Sequence, residues 1–177
     1  RGYDGAMIHG AMIYRAMVSA PGRVNLIGEH IDYHGLPVLP IALRRSIRVT
    51  FQARDDHRIQ SVSEDYGGRE FEWLPNLTPV ARGDWENYLR AAAQAIAGKW
   101  GVLHGIDAAI ESDLPPAAGL SSSSALIVAF TLALLRANRI AATFEELLAT
   151  LPDGGLLGAG PMARSLGTLP FGVEPLK

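Results

Sequence analysis

The sequence predicts an α+β domain, and three stretches carry that prediction. Residues 46–54 alternate, with Ile47, Val49 and Phe51 on one face and Arg48, Thr50 and Gln52 on the other, the period of a half-buried strand. Residues 84–101 set Trp85, Tyr88, Leu89, Ala92, Ile96 and Trp100 at helical spacing, with Asp84 at the capping position and Gly101 where a helix-ending glycine belongs. Residues 125–135 are apolar nearly all round, as in a helix that belongs in an interior.

The remaining elements follow in order. Residues 12–19 read as a strand leading into a turn at Ala20-Pro21-Gly22, and residues 24–27 as a short buried strand. Residues 58–63 and 69–74 are two further strands separated by the turn formers Asp65-Tyr66-Gly67-Gly68, and 75–83 is a loop. After the first helix, Ile106, Ala108 and Ile110 alternate as a strand, and 115–124 is a loop before the buried helix. Thr143 and Glu146 form a capping box for a last helix whose apolar face is Phe144, Leu147 and Leu148. From Asp153 onward the chain is rich in glycine and proline without a clean period, so no structure is assigned there. This divides the chain into an N-terminal extension (1–11), a folded domain (12–150) and a Gly/Pro-rich tail (151–177).

Bulk properties narrow the function. With 177 residues, 48% hydrophobic and 19% charged, the chain has material for one ordinary core. A formal charge of −2 offers no basic surface for a nucleic acid or a membrane. The absence of cysteine excludes disulfides and thiolate metal sites and fits a reducing, cytoplasmic setting. The longest apolar run, 125–135, is too short to span a bilayer, and no basic-then-apolar leader opens the chain. The first residue is Arg1, which suggests a piece of a longer protein, and a monomer is expected.

Two segments carry chemistry. The first runs from Gly22 to Tyr33 and packs Arg23, Glu29, His30, Asp32 and Tyr33 around the apolar residues 24–27. Carboxylates accept hydrogen bonds from sugar hydroxyls, an imidazole can accept or donate, and a guanidinium supplies a fixed positive charge, so this composition suits a polyhydroxylated ligand. The second is Pro115-Pro116-Ala117-Ala118-Gly119-Leu120-Ser121-Ser122-Ser123-Ser124. Small residues let the backbone approach a ligand, and the serines fall at the first turn of the buried helix, where free amides and the helix dipole favour an anion. One serine would serve as a cap, whereas four in a row exceed that need. No Gly-Lys-Ser/Thr follows, so this is not a Walker A loop.

Residues 20–33, continuing through Gly35 and Val38-Leu39-Pro40, resemble the galactokinase signature of the GHMP kinase superfamily, and the serine loop resembles that superfamily's Pro-x-x-x-Gly-Leu-Ser-Ser-Ser phosphate motif. The resemblance covers about residues 12–150. It implies the superfamily's N-terminal domain (ribosomal protein S5 domain 2-like) and an ATP-dependent sugar 1-kinase that converts galactose to galactose 1-phosphate with MgATP. It further implies sugar contacts for Glu29, His30 and Asp32, with Tyr33 beside them, and places Arg23 near the transferred phosphoryl group and a catalytic aspartate. Ala118, Gly119, Leu120, Ser121, Ser122, Ser123 and Ser124 would wrap the phosphates, with Ser123 helping to hold Mg²⁺. Trp85 and Tyr88 resemble the family's Trp-x-Asn-Tyr, whose aromatics lie against adenine, although core packing explains them equally well. His9, His57 and His104 read as surface or loop residues, and His34 stands where galactokinases often have asparagine.

The family's catalytic aspartate lies in a Met-Asp-Gln segment beyond the last helix, preceded by a glutamate that binds Mg²⁺. Asp153 is the only aspartate after Asp113, and its neighbours do not match that segment. The third, glycine-rich motif of the family's ferredoxin-like second domain also has no counterpart. The expectation is therefore a galactokinase-like N-terminal portion with little or no turnover by itself. The alternatives are a sugar- and ATP-binding module without catalysis, or a kinase for N-acetylgalactosamine, arabinose or a uronic acid.

Overall fold

The computed structural model describes residues 5–8, 11–14, 16–27, 39–115 and 120–153. In order these are β1 (Gly5–Ile8), β2 (Ala11–Tyr14), β3 (Ala16–Ile27), β4 (Leu39–Ala53), β5 (Arg58–Ser63), β6 (Gly67–Glu72), α1 (Glu86–Trp100), β7 (Ile106–Ser112), α2 (Ser122–Ala137) and α3 (Phe144–Asp153). Strands β3 to β7 form one sheet in the order β3-β4-β7-β5-β6, and β1 pairs with β2 as a separate hairpin. Every pairing in the larger sheet is antiparallel except β5 with β7, which is parallel.

Two layers follow from the side-chain periods. Ile47, Val49 and Phe51 of β4, Ile59 of β5, and Ile106, Ala108 and Ile110 of β7 are buried on one face of the sheet. Helix α2 packs on that face against β3 and β4, with α1 beside it and α3 against α1. Residues 125–135 are buried without interruption, as their all-apolar composition requires. Each fully buried Leu, Ile or Phe here contributes about 1.5–3 kcal/mol. The alanines at 91, 92, 93 and 95 give α1 a thin inner surface, which brings it close to α2.

Capping chemistry is largely as the sequence suggests. Thr143 N–H donates to Glu146 Oε2 at 2.9 Å and Glu146 N–H to Thr143 Oγ1 at 3.2 Å, a reciprocal capping box. Gly101 ends α1 with φ of 81°, a conformation that favours glycine, and its N–H donates to Ala97 O. His57 and His104 are exposed, their rings stacked 6.3 Å apart, while His9 lies outside the described residues.

Some boundaries differ. The turn expected at Ala20-Pro21-Gly22 lies inside β3, because β3 is an edge strand and the missing Pro21 N–H breaks no ladder between two neighbours. The expected strand over 12–19 is divided between two sheets. In the stretch expected as a short buried strand, Arg23 and Asn25 are buried while Leu26 and Ile27 are exposed, since side chains alternate between faces and the ladder shifts register between Asn25 and Ile27. Helix α2 begins at Ser122, so three serines are helical. Helix α3 runs through Pro152, with buried Leu151 holding its final turn, and Phe144 is 40% exposed, so the buried face is Leu147 and Leu151.

Thr131, inside α2, is fully buried and its hydroxyl has no hydrogen-bond partner. An unpaired buried polar group costs about 1–3 kcal/mol. Thr131→Val, which keeps the shape, should therefore raise the melting temperature of the purified chain in a thermal denaturation scan.

Candidate functional site

The start of α2 is built for something other than a closed helix end. Ser121, the N-cap, has φ 59° and ψ 35°, a left-handed conformation rare outside glycine, and its side chain makes no capping hydrogen bond. Its carbonyl still accepts from Ala125 N–H at 3.0 Å, so the helix is properly begun. The first-turn amides are thus left without the side-chain acceptor that a serine cap ordinarily supplies. Such backbone costs about 1–3 kcal/mol and persists where surrounding contacts enforce it.

Those contacts come from β3. Arg23 N–H donates to Leu120 O at 3.1 Å, which fastens the strand to the residue just before the helix's N-cap. Gly22 makes the approach possible. A Cβ there would run into the Leu114 side chain and lie 2.9 Å from Leu120 O, a backbone atom that cannot swing aside. Arg23 itself is 6% exposed.

A cavity of about 550 Å³ opens between the N-terminal ends of α1 and α2. Ser122, Ser123 and Leu126 line it from α2, and Trp85 and Tyr88 from the start of α1. Its floor is the end of the sheet, where Ile47, Ser63, Ile110 and Ser112 meet. Tyr66 and Arg69 complete the aromatic end: the Trp85 indole N–H donates to Tyr66 O at 3.2 Å, and the Arg69 guanidinium lies 5.6 Å from the Trp85 ring centre. Arg69 also clamps Asp84 through two hydrogen bonds, at 3.0 and 3.1 Å. Asp84 accepts from Glu86 N–H at 2.9 Å, so the expected helix cap serves α1 and the clamp together. The Arg69 contact, and then the Glu86 amide, hold the Asp84 carboxyl below its ordinary value.

The structure therefore brings Trp85, Tyr88, Ser122 and Ser123 to one cavity and ties Arg23 to Leu120 beside it. Trp85 is buried in the core and lines the cavity at once. Glu29, His30, Asp32, Tyr33, Ala118 and Gly119 lie outside the described residues, as does His34. Sequence reasoning missed Ser63, Tyr66, Arg69, Asp84 and Ser112 as cavity residues. Among the described residues no three His, Asp or Glu side chains gather as a metal site, and the oxygen donors at the α2 end are the hydroxyls of Ser122 and Ser123. No helix among the described residues is long and apolar enough to cross a membrane.

The fold is shared with solved small-molecule kinases. The mevalonate kinase of Methanococcus jannaschii superposes with a TM-score of 0.69 at 18% identity, over 86% of this chain and 48% of that one. The Lactococcus lactis galactokinase, solved with galactose, superposes with a TM-score of 0.74 at 26% identity, over 89% of this chain and 42% of that one. Residues 9–53 match the galactokinase galactose-binding signature, and residues 87–160 match the GHMP kinase N-terminal domain. Galactokinases of Chloroflexus aggregans and of a Roseiflexus species are 39% and 38% identical over 128 and 131 residues, 72% and 74% of this chain. The chain thus carries the galactokinase galactose-binding signature and the GHMP kinase N-terminal domain, and galactokinases are among its curated relatives. It spans 33% of the length of those curated relatives.

Two outcomes follow from the geometry. Gly22→Ala should push Leu120 off β3, costing about 1–3 kcal/mol as an overpacked site does. It should also disturb the α2 N-terminus, read as a lower urea midpoint together with altered Trp fluorescence. The second outcome concerns pH. A carboxyl whose pKa is lower in the folded than in the unfolded state gives stability that is present above the unfolded value and lost as pH falls through the folded one. Asp84 is such a group, so its clamp should fail below its ordinary value of 3.8. Asp84→Asn should be less stable at neutral pH and show a shallower acid limb in a series of melts.

Proposed function

We propose that this chain supplies the nucleotide cleft and the sugar-binding strand of an ATP-dependent galactose 1-kinase. The supporting observation is the cavity itself, with two aromatics at the head of one helix, two serines at the head of another, and the Arg23 amide hydrogen-bonded to Leu120, just ahead of that helix's N-cap. That is the chemistry a nucleoside triphosphate needs. A purine lies against Trp85 and Tyr88, and its phosphates reach the first-turn amides and hydroxyls of α2.

The serine loop, including Ala118, Gly119, Leu120, Ser121 and Ser124, wraps the β- and γ-phosphates. Glu29, His30 and Asp32 take galactose hydroxyls, with Tyr33 packed beside them. Arg23 ties β3 to Leu120 of the phosphate loop, and the sugar residues follow β3 in the sequence. Its cation would offset charge on the transferred phosphoryl oxygens. Mg²⁺ takes oxygen ligands, and the Ser123 hydroxyl fits as one of them. Bound with ATP, the ion would neutralise phosphate charge. The protein is read as cytoplasmic and monomeric, with galactose and MgATP as its ligands.

Calorimetry on the purified chain tests this reading. Hydrogen bonds to charged groups are worth about 1.5–3 kcal/mol, so Ser123→Ala should weaken MgATP binding by about tenfold or more. Gly119→Val should weaken it further by blocking the loop, and Asp32→Ala should weaken galactose while leaving MgATP unchanged. Normal MgATP affinity in both loop variants would remove the serine loop from the nucleotide site.

A further inference from the structure

The loop at 75–83 belongs to no strand or helix, yet three side chains of α1 hold its backbone. Gln94 Nε2 donates to Pro75 O at 3.0 Å, and Gln94 Oε1 accepts from Leu77 N–H at 2.8 Å. The Arg90 guanidinium donates to Thr78 O at 3.0 Å. Asn87 Oδ1 accepts from Val80 N–H and Asn87 Nδ2 donates to Ala81 O, both at 3.0 Å. Positions 87, 90 and 94 share one stripe of the helix. The loop is therefore a strap, laid antiparallel along α1 and caught at each turn.

The two ends of the strap do different work. At the Gln94 end, Leu77 is buried in the core and anchors the chain by itself. At the Asn87 end the strap runs into the cavity, where Gly83, Asp84 and Trp85 line the wall. Gly83, with φ of 87°, lends this turn little stiffness of its own. Ala81 O, which takes the Asn87 amide, also accepts from Asp84 N–H at 3.1 Å, and Asn87 N–H donates to Asp84 O at 3.1 Å. Asn87 thus closes the turn from the helix side, while Arg69 holds the Asp84 carboxylate from the sheet side. A carboxamide suits the task because it carries a donor and an acceptor together, matching the N–H and C=O of a backbone segment.

We propose that Asn87 is a positioning residue for the aromatic end of the cleft. It does not line the cavity itself, and it acts by fixing Gly83 and Asp84 beside Trp85. This deepens, and rests on, the reading of the cavity as a nucleotide site. Without the Asn87 side chain, the turn at 81–84 moves in and out of the space beside Trp85, and a base pays to order it. The phosphate end, built from Ser122 and Ser123 on α2, does not depend on that turn.

The test uses the whole 177-residue chain and two magnesium-loaded probes, ATP and inorganic tripolyphosphate, which has no base. Affinity is read by titration calorimetry, with a thermal melt of each variant. Asn87→Ala should weaken ATP by about 3- to 10-fold, the effect of losing one hydrogen bond between neutral groups, and leave tripolyphosphate unchanged. Gln94→Ala removes a matching pair of hydrogen bonds at the far end of the strap, so it should lower the melting temperature comparably and leave ATP affinity unchanged. Asn87→Asp keeps the acceptor for Val80 N–H and loses only the donor. It is the milder variant should Asn87→Ala melt below the titration temperature, and it should weaken ATP alone, to a smaller degree. Unchanged ATP affinity in the Asn87 variants, equal weakening of ATP by Gln94→Ala, or equal weakening of both probes would overturn the assignment of Asn87 alone. Failure of the unaltered chain to bind ATP would overturn the nucleotide-site reading and this inference together.

Discussion

The hydrogen bond from the Arg23 amide to the Leu120 carbonyl joins two segments far apart in the sequence, the edge strand β3 and the serine-rich start of α2. Neither segment makes a site without the other. Gly22 keeps the distance short enough for that bond, and Leu114 and Leu120 fill the space that any side chain at position 22 would take. The left-handed Ser121 follows from this seam, because the chain must leave Leu120 in contact with β3 and still enter a helix at Ser122. Its cost is offset by α2, whose long buried stretch is the largest apolar element of the core.

That arrangement explains why the cleft has two chemically different ends. The amides of α2 carry a partial positive charge and lack a side-chain cap, so this end suits anionic oxygen. The end near α1 is already neutralised, since Asp84 occupies the first-turn amide of Glu86 and is itself held by Arg69. What remains there is aromatic surface. A ligand with a charged tail and a flat head fits such a cavity in one direction only.

Much of this was legible in the sequence, for identifiable reasons. The periods of β4, β5, α1 and α2 are local and strong, and the Thr143–Glu146 box is a local rule, so each could be read from a few residues. The serine loop stood out because four hydroxyls exceed what a cap uses. By contrast, the parallel pairing of β5 with β7 brings Ser63 beside Ile110 across a long stretch of chain, and no local pattern announces it. Arg69 reaches the cleft from β6 through its pairing with β5, and Asp84 is drawn there by its hydrogen bonds to Arg69. Pro21 misled in the other direction: proline reads as a turn, yet an edge strand tolerates it, and β3 continues through it.

The central claim is that one cavity holds a nucleotide with its phosphates at α2 and its base at α1. Amide and indole NMR spectra of the ¹⁵N-labelled chain, recorded during a MgATP titration, test it most directly. The account predicts the largest shifts at the backbone amides of Ser122 and Ser123 and at the Trp85 indole N–H. The indole of buried Trp73, which does not line this cavity, should stay in place as an internal control. Shifts that spare both the serine amides and the Trp85 indole, or that move the Trp73 indole instead, would contradict it.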